Sequence, residues 1–105
     1  MMNQVVLIGR ICGDVEKKEV DGKTYAEITI ASQRSYKNEE GEYETDFIDC
    51  VLWGGIAEHV VEYCRKGDLV GIKGRVENNY IGDVKTTNVI AEKVTFLSSS
   101  KKDGE

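Results

Sequence analysis

Thr45-Asp46-Phe47-Ile48-Asp49-Cys50-Val51-Leu52-Trp53 is the stretch on which the fold turns. It is rich in β-branched and aromatic residues, which favours a strand. Strand side chains alternate between two faces. Ile48, Cys50 and Leu52 therefore form one row, suited to a core. Phe47, Asp49, Val51 and Trp53 form the other. The single Trp of the chain and one of its two Phe residues share the face that the core row leaves free. At ~3.3 Å per residue, their rings stand roughly 20 Å apart along the strand. Two readings are open. Either the pair covers a subunit contact or a second small core, or the rings are flat platforms for unpaired bases, each worth ~1–3 kcal/mol by stacking.

Upstream, Thr24 to Ser35 reads as another strand. Ala26, Ile28 and Ile30 lie on one face; Tyr25, Glu27, Thr29 and Ala31 lie on the other. The polar run from Tyr36 to Glu44, around Asn38 and Gly41, joins it to the organising strand as a long hairpin. Asn3 to Ile11 is a first strand, with Gly9 and Gly13 near its end suggesting a bend or bulge. Asp14 to Gly22 is a polar connection ending in the turn signal Asp21-Gly22.

Downstream, Gly54-Gly55 closes the organising strand. Ile56, Ala57, Val60, Val61 and Cys64 recur at helical spacing, which predicts one amphipathic helix. Lys66-Gly67 is expected to end it, with Gly as the C-terminal cap and basic residues in the last turn. Asp68 to Glu77 returns to strand, and Gly71 and Gly74 suit a coiled one. Asn78 to Asp83 reads as a turn, and Val84 to Leu97 as the last strand.

The chain contains no Pro, so every strand is free to pair on both edges. A parallel sheet with crossover helices would need more helices than this. The expected fold is all-β: a five-stranded oligonucleotide/oligosaccharide-binding barrel with one helix between strands 3 and 4. Residues 1–97 would form the domain, and 98–105 a short disordered polar end. The second and third strands would make the ligand face.

At 105 residues, with 40% hydrophobic and 31% charged content, the chain has the composition of one small globular domain. Its formal net charge of −5 argues mildly against a polyanion ligand, but a local basic path can coexist with an acidic remainder. The three Cys residues, Cys12, Cys50 and Cys64, match neither a zinc-ligand nor a redox-pair spacing. Cys50 and Cys64 read as buried thiols. The odd count and lack of a secretion signal favour a reducing compartment. No apolar run approaches the ~18 residues that a spanning helix needs.

The candidate site residues follow from the ligand face. Phe47 and Trp53 lie on the third strand, Tyr36 in the hairpin before it, and Tyr80 at the tip of the last hairpin. Tyr43, in the hairpin before the third strand, is a further loop aromatic. Arg10, Arg34, Lys37, Lys73 and Arg75 are the nearby cations for a phosphate track. A salt-laced surface would also explain them. Asp49 sits awkwardly between the aromatics and is expected to pair with an Arg or Lys. An enzyme is not expected: the only His, His59, sits on the charged side of the helix, and no nucleophile motif or phosphate loop is present. No metal or cofactor site is expected.

Asn3-Gln4-Val5-Val6-Leu7-Ile8-Gly9-Arg10-Ile11 resembles the opening strand of the bacterial-type single-stranded DNA-binding protein family. Thr45 to Gly54 resembles that family's third strand, Ala57 to Val70 its helix and exit, and Gly71-Ile72-Lys73-Gly74-Arg75-Val76 the strand that follows. The resemblance spans about residues 2 to 97. It implies non-catalytic, largely sequence-independent binding and protection of single-stranded DNA in replication, recombination or repair. It further implies a cytoplasmic homo-oligomer, commonly a tetramer with a dimer as alternative, associating through the first strand and a broad sheet surface. Carried over, the stacking residues are Tyr36, Phe47, Trp53 and Tyr80, and the backbone contacts Arg10, Lys73 and Arg75. The family usually continues through a linker to an acidic tip that recruits replication and repair enzymes, and the expectation from Asp103-Gly104-Glu105 is that this tip is absent. Two alternatives stay open: a protein-interaction adaptor of replication restart with weak DNA binding, and an RNA-binding barrel.

Overall fold

The computed structural model of the chain describes residues 1–99. It contains β1 (Val5–Cys12), β2 (Lys17–Val20), β3 (Lys23–Lys37), β4 (Tyr43–Trp53), α1 (Gly54–Tyr63), β5 (Leu69–Ile81) and β6 (Val84–Ser98). The strands form one six-stranded sheet in the order β1-β5-β6-β4-β3-β2, and β1 also pairs with β3 through Arg10, Ile11 and Cys12. All pairings are antiparallel except β4–β6, which is parallel at Cys50–Val89 and Val51–Ile90.

The five-stranded barrel is therefore corrected to a mixed sheet of six strands, with the helix between β4 and β5 rather than between the third and fourth strands. The unexpected strand is β2. All four of its side chains are exposed, so no apolar alternation marks it. The turn at Asp21-Gly22, both with positive φ, folds it back onto β3. Its pairing rests on backbone hydrogen bonds that a hydrophobicity pattern does not report.

The apolar rows fall where alternation put them. Ala26, Ile28 and Ile30 of β3 and Cys50 and Leu52 of β4 are buried, while Ile48 packs partly buried against them. Val70 and Ile72 of β5 close the core from the other side, and Ala57 and Val60 bring α1 down onto it. Each large aliphatic side chain so enclosed contributes about 1.5–3 kcal/mol of burial.

Two glycines permit close strand crossings. A Cβ at Gly9 would collide with the Ala31 carbonyl, and one at Gly74 with the Ile90 carbonyl. Beside Gly74 the β5–β6 register slips, leaving Glu92 as an extra residue on β6. Gly74 therefore lies beside a bulge, a place where a strand bends locally.

Two local expectations are also revised. Helix α1 ends at Tyr63 with Cys64 as its extended C-cap, and no basic residue lies in its last turn. Gly67, at φ 91°, belongs instead to the turn before β5, where its N–H donates to the Ile11 carbonyl. The guanidinium of Arg65, just past the helix, donates to the carbonyls of Glu62 and Cys64. The second hairpin turns only at Gly82-Asp83, so Asn78 to Ile81 are strand. At the C-terminal end, Ser98 still belongs to β6, and the expectation for residues 100 to 105 lies outside the described residues.

Candidate nucleic-acid interface

The outward row of β4 is the foundation of the site. Phe47 keeps 67% of its surface exposed and Trp53 41%. Across the β3–β4 ladder Trp53 faces Tyr25, Val51 faces Glu27, Asp49 faces Thr29, and Phe47 faces Ala31. Trp53 leans on Tyr25, with ring centroids 5.2 Å apart at 34°. Phe47 has only the small Ala31 opposite it. This cross-strand contact braces the Trp53 ring on one side, whereas Phe47 has no ring opposite it.

Register brings cations to this row from both sides. Arg10 pairs with Ala31, which pairs with Phe47. Arg75 pairs with Ile90, which pairs in turn with Val51. Each arginine is thus two strands from the β4 row, roughly 10 Å at the usual strand spacing. Arg10 is exposed and donates through Nη1 to the Gly67 carbonyl at 3.0 Å. That bond orients the guanidinium while leaving its charge uncancelled. Arg75 is differently placed: it bonds Glu77 and lies 3.8 Å from the bulge residue Glu92. Those carboxylates raise its pKa and offset its charge.

The other named residues are not gathered there. Arg34 is clamped by both oxygens of Asp46 at 3.0 Å and by Glu44 at 3.0 Å. Alternation puts Asp46 in the row of Ile48, Cys50 and Leu52, opposite Phe47. Its hydrogen bonds from Arg34 hold the Asp46 carboxyl below the ordinary carboxylate range. Tyr36 stands exposed in the irregular stretch of β3 between Gln33 and Lys37. The Lys37 ammonium lies over the Tyr43 ring, 5.6 Å from its centroid. Tyr80 is exposed on the arm of the β5–β6 hairpin, paired with Lys85 and in the row of Val76 rather than of Arg75. Lys73 borders a different feature, an open apolar groove of about 370 Å³ lined by Val6, Ile8, Gly71, Thr95 and Leu97.

Asp49 does not pair with a cation, as its setting suggested. It accepts a hydrogen bond from Thr29 Oγ1 at 2.9 Å. Thr29 and Tyr25 are the site residues that the sequence reading passed over. Both share a face with Glu27 and Ala31 in the alternation, but only register shows that one supports Trp53 and the other orients Asp49. His59 is exposed, its ring 4.8 Å from that of Tyr63 on α1. Among the described residues no helix is long and apolar enough to cross a membrane.

Exposed aromatics with cations beside them on one face of an all-β domain are features shared with the class of proteins that bind single-stranded nucleic acid. A model of the Single-strand binding protein family matches residues 2–97, and the chain belongs to that family. It is similar to Single-stranded DNA-binding protein 3 of Listeria innocua, 44% identical over 96% of this chain and 67% of the relative. To Single-stranded DNA-binding protein B of Bacillus subtilis it is 38% identical over 98% of this chain and 96% of the relative. To the Single-stranded DNA-binding protein of Bacillus cereus it is 41% identical over 100% of this chain and 65% of the relative. The chain thus spans about two thirds of the length of two of these relatives and nearly all of the third.

Proposed function

We propose that this chain binds single-stranded DNA without catalysis and with little dependence on sequence, holding unpaired strands extended and protected during replication, recombination or repair. The observation that carries this reading is the outward row of β4, where Phe47 and Trp53 are exposed on a strand whose other face is core. Bases stack on these two rings, and Arg10 neutralises phosphate beside Phe47. Arg75 joins once a phosphate displaces its carboxylate partners. Tyr36 and Tyr80, both exposed on strand extensions, continue the path beyond the body of the sheet. Lys37 and Lys73 contribute charge at its margins, and Arg34 contributes only if its clamp opens. Titration with oligothymidylate at low salt tests the reading. Trp53 emission is quenched and affinity falls as salt rises. Absence of both quench and mobility shift would sink the proposal.

The same family membership supports association of copies into a homotetramer. Val6 and Ile8 of β1 are 66% and 59% exposed and border the apolar groove with Leu97. Apolar side chains so placed favour burial against another copy. Light scattering reads the subunit number directly. A monomer at micromolar concentration would contradict this part of the proposal, and a dimer would correct it.

A further inference from the structure

Between the two stacking platforms lies a polar pair that stacking does not use. Thr29 and Asp49 are register partners on β3 and β4, and the Thr29 hydroxyl donates to Asp49 Oδ1. Asp49 is exposed, and none of the ion pairs among the described residues involves it. Its neighbours in the outward row are Phe47 and Val51, each two residues or ~6.6 Å along the strand, and of these only Phe47 carries an aromatic ring. A flat base laid on Phe47 would extend about that far, so its edge would come to the carboxylate.

The hydrogen-bond inventory at this spot is one-sided. The Thr29 proton is already committed, so Thr29 and Asp49 offer the base acceptors and no donor. Cytosine presents an N4 amino group, adenine an N6 amino group, and guanine an N1–H beside an N2 amino group; each can donate to a carboxylate. Thymine presents one N–H flanked by two carbonyls, whose lone pairs face those of the carboxylate. Hydrogen bonds to a charged acceptor are the stronger kind, and a stacked base excludes water that would weaken them.

Resting on the single-stranded DNA reading above, we propose that Asp49, oriented by Thr29, reads the edge of the base stacked on Phe47 and favours amino-bearing bases over thymine. The preference is a modest bias laid over sequence-independent stacking. The carboxylate also repels phosphate, but that effect is the same for every sequence. Base discrimination is therefore read from a ratio of affinities.

The test measures the affinity of the whole chain for oligodeoxycytidylate and oligodeoxythymidylate of equal length at one low salt concentration. Asp49→Asn keeps an acceptor for Thr29 but removes the charge and adds an amide donor that suits thymine. It is expected to shift the cytidylate-to-thymidylate affinity ratio toward thymidylate by about fivefold. Thr29→Val keeps the carboxylate but frees its rotation, and shifts the ratio in the same direction by less. If the ratio stays constant in both variants while Asp49→Asn strengthens binding to both oligomers equally, Asp49 only repels phosphate and the inference is overturned. If the unmodified chain binds neither oligomer, the DNA-binding reading itself fails, and the inference falls with it.

Discussion

On the inner face of β4, Cys50 and Leu52 are fully shut from water; on the outer face, Phe47, three residues before Cys50, and Trp53, next to Leu52, stand in it. The backbone, its ladder with β3 and its twist are common to both rows. Only the company differs. Inner side chains share one buried cluster with side chains of β3, β5, β6 and α1. Outer side chains meet single cross-strand neighbours, Tyr25, Glu27, Thr29 and Ala31. Changes on the inner face should therefore be read out in folding, and changes on the outer face in binding.

The largest expected effect is on the inner face. Leu52→Ala removes a fully enclosed side chain and leaves a cavity, which costs about 2–5 kcal/mol of stability. Urea denaturation followed by far-ultraviolet circular dichroism measures it. The molecules that remain folded keep their affinity for thymidylate. A loss below about 1 kcal/mol would mean that this row can collapse or is not the core.

Phe47→Ala tests the other side. Removing a stacking platform should weaken thymidylate binding by ~1–3 kcal/mol, while the urea midpoint hardly moves. Trp53→Ala should weaken binding as well, but with some loss of stability, because its ring rests on Tyr25. If Phe47→Ala lowers stability as much as Leu52→Ala does and leaves affinity intact, the two faces are not divided as proposed.

Much of this division was legible in alternation alone. The rows Ile48-Cys50-Leu52 and Ala26-Ile28-Ile30 needed only the two-residue period, because burial on one face imposes it on the sequence. What stayed hidden depended on partners distant in the chain. The strand at Lys17–Val20 has no apolar face, so its existence rests on backbone pairing with β3. Arg34 looked like a phosphate contact because a sequence shows a charge but not its partner; Asp46 and Glu44 occupy it. The bond from Thr29 to Asp49 required the β3–β4 register, which the polar hairpin and the irregularity after Gln33 obscured. Single-strand patterns thus located the aromatic row, and only cross-strand register and ion pairing show which charges lie beside it and which are already paired.

The Arg34 clamp offers a smaller test, at the outer end of the inner row. Because Arg34 holds the Asp46 carboxyl below its ordinary range, the charged form is favoured by folding. The resulting stabilisation is complete above the pH at which an unfolded aspartate titrates, about 4, and is lost as pH falls through the lower folded value. Asp46→Asn removes it. The stability gap between the unmodified chain and this variant, taken from urea melts, should be constant near neutrality and close on acidification below about pH 4. A gap that widens in acid would show that Arg34 does not favour the charged form.

The smallest effect concerns the thiol in the middle of the inner row. Burial, helped by the charge of Asp49, pushes the Cys50 thiol up to about 11. Only the thiolate attacks a disulfide reagent, so near pH 8 Cys50 should be unreactive for two compounding reasons, protonation and enclosure. Cys12 is half-exposed and provides an internal control. With an aromatic disulfide reagent at that pH, one thiol should react at once, and Cys50 and the likewise buried Cys64 only as fast as the chain opens. Added urea should raise the slow rate and leave the fast one almost unchanged. Leu52→Ala, which loosens the same row, should also accelerate the slow phase, whereas Phe47→Ala, two residues from Asp49 on the other face, should not. Equal acceleration by both variants would mean that the outer face shares the packing of the inner one, and that the two rows of β4 act as a single structural unit.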